Sequence, residues 1–166
     1  MSIPFMEALQ RRDLQAADRA LGARTTAWLA DQLVDFLSYR LGQLKEDPSI
    51  HGWLGRAIVY TEGDGTREAI GSIGFHGPPD DEGRLEIGYS IDPRYRRRGF
   101  AREAATAMYR WAHDAHGVTT FVASVSPDNI ASLNLIEEYG YTMIGEQMDE
   151  IDGLELVFEA HWPMGL

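Results

Sequence analysis

Residues 85–126 read strand, loop, helix, strand, and no other stretch restricts the fold as much. The strand over 85–91 stops at Asp92-Pro93, because proline lacks a backbone donor and the residue before it avoids helical geometry. Ala101, Ala104, Met108, Trp111 and Ala112 then line one face of a helix over 100–116, and Gly117 closes it. A second strand covers 119–126. A helical crossover between two strands lays them side by side in parallel. The chain must therefore build a sheet with at least one parallel pair.

The flanking segments fill in the rest. The first 46 residues read as helical. Asp13 caps a short helix bearing Leu14, Ala17 and Leu21, with Gly22 ending it. Thr25 or Thr26 caps a longer one, in which Trp28, Leu29, Leu33, Phe36, Leu37, Leu41 and Leu44 form an apolar stripe. Strands over 56–61 and 69–75 flank the hairpin signal Asp64-Gly65 and continue into 85–91 as a three-strand meander. Downstream, a helix over 129–139 stops at Gly140, and strands over 141–147 and 154–162 pair around Asp152-Gly153. The expected architecture is a mixed α/β sheet, mostly antiparallel around a central parallel pair, with helices on both faces. With 166 residues, 44% apolar and 25% charged, the chain falls in the range of one globular domain, residues 1–166, and outside that of disordered chains.

Charge and residue usage exclude several functions. There is no cysteine, so disulfides, thiolate metal sites and a cysteine nucleophile are ruled out. His76, His113, His116 and His161 show no ligand spacing, and no metal is expected. No apolar run approaches the roughly 18 residues of a membrane helix, and no basic-then-apolar leader opens the sequence. The expectation is a cytoplasmic protein without a membrane partner. Net charge is −11, and residues 111–166 hold 10 acidic residues and no lysine or arginine. Such a chain is not a non-specific nucleic-acid binder, and its acidic surface serves either solubility or a cationic partner.

Against that background, Arg94, Arg96, Arg97 and Arg98 gather within five positions, between the strand and the helix. A helix start presents unpaired N–H groups and a positive dipole end, and both attract anions. Gly99 permits close approach or a positive φ, Ala101 is small, and arginines donate charge-assisted hydrogen bonds that suit phosphate. The segment reads as a phosphate or pyrophosphate site, or else as a solvated basic turn.

The pattern Arg96-x-x-Gly99-x-Ala101 resembles the acyl-CoA pyrophosphate loop, Q/R-x-x-G-x-G/A, of the GNAT superfamily of N-acyltransferases. Leu85-Glu86-Ile87-Gly88-Tyr89 before it, Glu103-Ala104-Ala105 after it, Asn129-x-x-Ser132, and Glu138-Tyr139-Gly140-Tyr141 look like the branch containing the ribosomal-protein alanine N-acetyltransferases. The likeness spans roughly residues 69–146. It implies acetyl transfer from acetyl-CoA to a primary amine, by direct transfer in a ternary complex. The acceptor would be a small molecule or a protein N-terminus. It also implies a cofactor-binding core over 85–140, a helical acceptor-side segment over 1–50, and a homodimer, as is common in the family. Pyrophosphate would rest on Arg96, Arg97, Arg98, Gly99, Phe100 and Ala101. The pantetheine arm would run along Tyr89, Ser90 and Ile91, where the parallel strands part. Asn129 would reach the pantetheine amides, or else cap its helix.

Acyl transfer to an amine requires removal of the amine proton, a donor for the oxyanion and often a proton for the departing thiolate. Glu86 is the candidate base, on the strand face opposite Leu85 and Ile87. Its half-burial is expected to raise its pKa. Many relatives carry a tyrosine as acid seven residues after the motif asparagine, but here that position is Ile136. Ser132, Tyr139 and Tyr141 are the substitutes, with Ser132 preferred. The departure keeps open a non-catalytic acyl-CoA-binding or regulatory module. An ATP site is disfavoured because no Gly-Lys-Ser/Thr loop occurs.

Overall fold

Three local caps set the N-terminal helices. The computed structural model of the chain describes residues 1–149 and 153–165. Ser2 caps α1 (Ile3–Gln10), which has Pro4 in its first turn. The Asp13 carboxylate accepts the Ala16 N–H at 2.9 Å to start α2 (Leu14–Leu21), and Gly22, at φ +70°, ends it. Of the two threonines, Thr26 is the cap of α3 (Ala27–Glu46), accepting the Leu29 N–H at 3.1 Å. The helix ends at Asp47, before Pro48, as expected.

The strands are β1 (Arg24–Thr25), β2 (Arg56–Thr61), β3 (Arg67–Phe75), β4 (Arg84–Ile91), β5 (Thr120–Val125), β6 (Thr142–Asp149) and β7 (Gly153–His161). Helix α4 (Phe100–His116) lies between β4 and β5, and α5 (Ile130–Glu138) between β5 and β6. The sheet is mixed and seven-stranded, in the order β1-β3-β4-β5-β7-β6, with β2 also on β3. The crossover through α4 gives the expected parallel β4–β5 pair. The last pair is antiparallel as read, although Asp152 of its turn lies outside the described residues. The two-residue β1, parallel to β3, was not expected; two residues carry no strand periodicity.

Two compact units divide the chain, and β3, β4 and α4 each pass from one to the other. The first joins Met1–Gly74 to Tyr89–Ala104. Its core packs Phe5, Leu9 and Ala17 of α1 and α2 against Leu29, Leu33, Leu37, Leu41 and Leu44 of α3, with Leu54 and Ala69. The apolar stripe of α3 is thus only partly buried. Phe36 remains exposed, and the Arg40 guanidinium lies 4.2 Å from its ring centroid, a cation–π contact at the edge of the core. The second unit joins Phe75–Gly88 to the chain from Ala105 onwards. Tyr109 there packs edge-on against Phe121 and Tyr139, with centroids 4.9 and 5.3 Å away.

Glycines let β3 approach its neighbours. A Cβ on Gly71 would run into the Ser90 carbonyl oxygen and stand 3.2 Å from Ile91 Cα. One on Gly74 would stand 2.6 Å from Gly55 Cα. Gly71→Ala should therefore lower stability by about 2 kcal/mol, since backbone must move to admit the methyl group. Gly63→Ala, in an open turn with nothing within 4 Å, should stay within about 0.5 kcal/mol of wild type. Urea unfolding of the two variants checks this difference.

Candidate active site

The corner after β4 is built on buried charge. Asp92 and Glu68 are each about 1% exposed. Asp92 donates its N–H to the Ile70 carbonyl at 2.8 Å, tying the corner to β3. Its carboxylate accepts from the Arg94 backbone at 3.0 Å and from Arg94 Nη2 at 2.7 Å. The same Nη2 reaches Glu68 Oε1 at 3.4 Å, and Arg24 pairs with the other Glu68 oxygen. Hydrogen bonds from Arg94 hold the Asp92 carboxyl below the ordinary carboxylate range, against the opposing effect of burial. Arg94 therefore serves the scaffold.

Beyond a single turn at Pro93–Tyr95, the chain runs through Arg96–Gly99 into α4. Arg96 Nε donates back to the Ile91 carbonyl at 2.9 Å, at the end of β4. The Arg98 guanidinium lies 5.0 Å from the ring centroids of Tyr60 and Phe100 and 5.6 Å from that of Tyr95. Arg97 takes the left-handed conformation at φ +61°, and Gly99 takes φ +83°. Residues Arg96, Arg97, Arg98 and Gly99 are exposed, and a Cβ on Gly99 would meet nothing within 4 Å. With glycine before Phe100, no side chain at that position can cap α4. Its first turn, at Phe100 and Ala101, presents backbone donors to an outside acceptor, and the residues fit a pyrophosphate.

Tyr89 and Ser90 are half-buried and Ile91 is buried. The Ser90 and Ser72 hydroxyls lie 3.1 Å apart. The parallel ladder pairs Arg84, Leu85 and Glu86 with Thr120, Phe121 and Val122 and ends there, although β4 runs on to Ile91 and β5 to Val125.

Glu86 has two close partners. Ser124 Oγ donates to its Oε1 at 2.6 Å, and His76 Nδ1 stands 3.2 Å from its Oε2. Burial raises its pKa, but the hydrogen bonds from His76 and Ser124 prevail, and the carboxyl sits below its ordinary range. The expected raised pKa is thereby corrected. The sequence reading missed Ser124 and set His76 aside as a non-ligand. Alternation along β5 puts Ser124 on the face of Val122, the residue opposite Glu86, and that was the available signal.

The other candidates lie on α5 and next to it. Asn129 caps the helix, its Oδ1 accepting the Ser132 N–H at 3.2 Å. Ser132 occupies the first turn of α5, and the hydroxyl that meets Glu86 is instead that of Ser124. Ile136 is buried. Tyr139 OH lies 2.9 Å from Thr106 Oγ1, and Tyr141 OH donates to Tyr109 OH at 2.9 Å. Both tyrosines act as packing aromatics with committed hydroxyls.

The acetyltransferase (GNAT) domain family matches residues 8–142. The uncharacterized N-acetyltransferase YjdG of Bacillus subtilis is 28% identical over 144 residues, which cover 86% of this chain and 83% of the relative. The uncharacterized N-acetyltransferase YoaA of the same organism is 39% identical over 80 residues, 48% of this chain and 45% of that one. Among solved structures, the ribosomal-protein-S5-alanine acetyltransferase of Vibrio fischeri superposes with a TM-score of 0.57 at 14% identity, covering 97% of this chain and 91% of its own. A spermidine N-acetyltransferase chimera from Vibrio cholerae and hSSAT gives 0.61 at 15% identity, covering 97% of this chain and 93% of its own. These structural likenesses concern the fold.

The buried corner has a measurable pH signature. Asp92→Asn should lower stability at pH 7 by about 2 kcal/mol, by weakening charged hydrogen bonds. Because the folded pKa lies below the unfolded one, the carboxylate's contribution is complete above the unfolded value and lost as pH falls through the folded one. The gap between variant and wild type should therefore narrow below about pH 4. Urea titrations at several pH values read it.

Proposed function

Because the chain belongs to the GNAT acetyltransferase family, we propose that it transfers an acetyl group from acetyl-CoA directly to a primary amine in a ternary complex. The observation that carries the cofactor is the loop Arg96–Ala101. Its residues 96–99 are exposed, Arg97 and Gly99 take positive φ, and it opens a 17-residue helix with arginines concentrated in an otherwise acidic protein. Its N–H groups and Arg97 would hold the pyrophosphate. Tyr89, Ser90 and Ile91, past the end of the β4–β5 ladder, would bind the pantetheine amides. When bound, acetyl-CoA supplies an acyl carbon activated as a thioester.

The acceptor is an amine that reaches the β4 strand as an ammonium ion. An acidic chain with ionised Glu86 on that strand favours such a cation. Relatives whose names specify spermidine or a ribosomal-protein alanine as acceptor make a polyamine and a protein N-terminus the two classes to test. Ser132 is the hydroxyl proposed to hold the proton that a leaving thiolate needs, since Ile136 is apolar and the hydroxyls of Tyr139 and Tyr141 are committed. The same shortage of acids supports a second reading, an acyl-CoA-binding module without turnover.

Calorimetry with acetyl-CoA and desulfo-CoA tests the cofactor site. Wild type should bind both in the micromolar range. Gly99→Glu, which puts bulk and negative charge on the loop, should weaken binding about 100-fold or more, on the order of 3 kcal/mol. Release of CoA in the presence of polyamines or N-terminal peptides supports transfer, and binding without release supports the module. Absence of binding by wild type would refute both.

A further inference from the structure

We propose that His76 is the base that takes the proton from the acceptor amine, with Glu86 as the positioning residue behind it. This rests on the acetyltransfer reading above. Both oxygens of Glu86 already accept hydrogen bonds, from Ser124 and His76. A carboxylate hydrogen-bonded at both oxygens is stabilised in its charged form and is a weaker proton acceptor. The imidazole is the more open of the two groups, with its side chain 56% exposed against 30% for Glu86.

His76 is tied to Glu86 twice. Its backbone N–H donates to the Glu86 carbonyl at 3.0 Å, and its Nδ1 faces the carboxylate at 3.2 Å. With the carboxylate as acceptor, the neutral ring carries its proton on Nδ1 and its lone pair on Nε2. Nε2 is turned over Gly88, where a Cβ would stand 3.1 Å from it. Glycine at 88 leaves room for the ring on the face of β4 that also carries Glu86. That position is one residue from the segment assigned to pantetheine.

The hydrogen bonds behind Glu86 run in one direction. Gln147 Nε2 donates to Ser124 Oγ at 3.1 Å and to Glu155 Oε2 at 2.9 Å, and Ser124 donates to Glu86. The two carboxylates joined by this run of hydrogen bonds are Glu86 and Glu155. Ser124, with its hydrogen committed to Glu86, leaves the second carboxylate oxygen for His76 Nδ1–H. In the proposed step, the N–H bond of the ammonium ion breaks and its electron pair stays on the amine nitrogen. The proton moves to Nε2, giving an imidazolium ion beside the Glu86 carboxylate. The ring later returns that proton to solvent.

Nitrogen-15 NMR of the histidine rings tests the tautomer without any turnover. Neutral His76 should carry its proton on Nδ1 in wild type and shift towards the Nε2 form in Glu86→Ala. In kinetics, His76→Gln should lose about 100-fold or more in kcat with acetyl-CoA binding unchanged, and Glu86→Gln should lose less. Added imidazole should restore part of the rate to His76→Ala, which a merely structural role does not predict. An Nε2–H tautomer in wild type, or full turnover by His76→Gln, overturns the assignment and leaves acetyltransfer standing. If wild type binds acetyl-CoA but releases no CoA with any amine, the acetyltransfer reading has failed, and the base proposal falls with it.

Discussion

The corner after β4 depends on two carboxylates placed where water is scarce. Burying Asp92 and Glu68 is costly unless cations and N–H groups reach them. Arg94 satisfies both from within the loop itself, and Arg24 reaches Glu68 from β1. The arrangement ties three separate segments, at residues 24, 68 and 92–94, to one point. A loop held so firmly at its start can tolerate left-handed backbone at Arg97 and Gly99, each unfavourable or restrictive by itself. The two-residue β1 gains its importance here, because it brings Arg24 opposite Glu68.

A similar economy governs Glu86, with a different chemical result. Desolvation alone would raise the pKa of this carboxyl. Ser124 and His76 reverse that tendency by bonding to the charged form. The group then becomes a fixed negative charge that selects an imidazole tautomer and favours a nearby cation. Burial read from a sequence pattern supplies only one of the opposing effects. The sign of the pKa shift depended on two partners, one 10 and one 38 residues away in the chain.

That distinction separates what was legible from what was not. Signals local to a few residues transferred well. Asp13 and Thr26 cap their helices, Gly22 closes α2, and the strand–helix–strand order gave the parallel pair. The glycine-bearing loop stood out because its charge contrasts with the rest of the chain. Signals that require tertiary partners did not transfer. The spacing of Phe36 places it on an apolar stripe, yet the ring is exposed, against the buried Arg40 guanidinium. Tyr139 and Tyr141 look like spare hydroxyls until Thr106 and Tyr109 are seen to occupy them. β1 is too short to show any periodicity at all.

The arginine run shows why charge density alone is a weak guide to a phosphate site. Four guanidinium groups within five residues suggest a single electropositive patch, but they are committed differently. Arg94 neutralises buried carboxylates, Arg96 ties back to the Ile91 carbonyl, and Arg98 lies over three aromatic rings. In Arg97 it is the backbone that is constrained, and its side chain is exposed. The anion binding proposed for this loop would therefore rest less on summed charge than on backbone N–H groups held in place by the other three arginines. This division fits a sequence pattern that fixes Gly99 and a small residue at Ala101 while allowing glutamine or arginine at position 96. The side chain there needs a donor for a carbonyl, and glycine is needed where the backbone itself must meet the ligand.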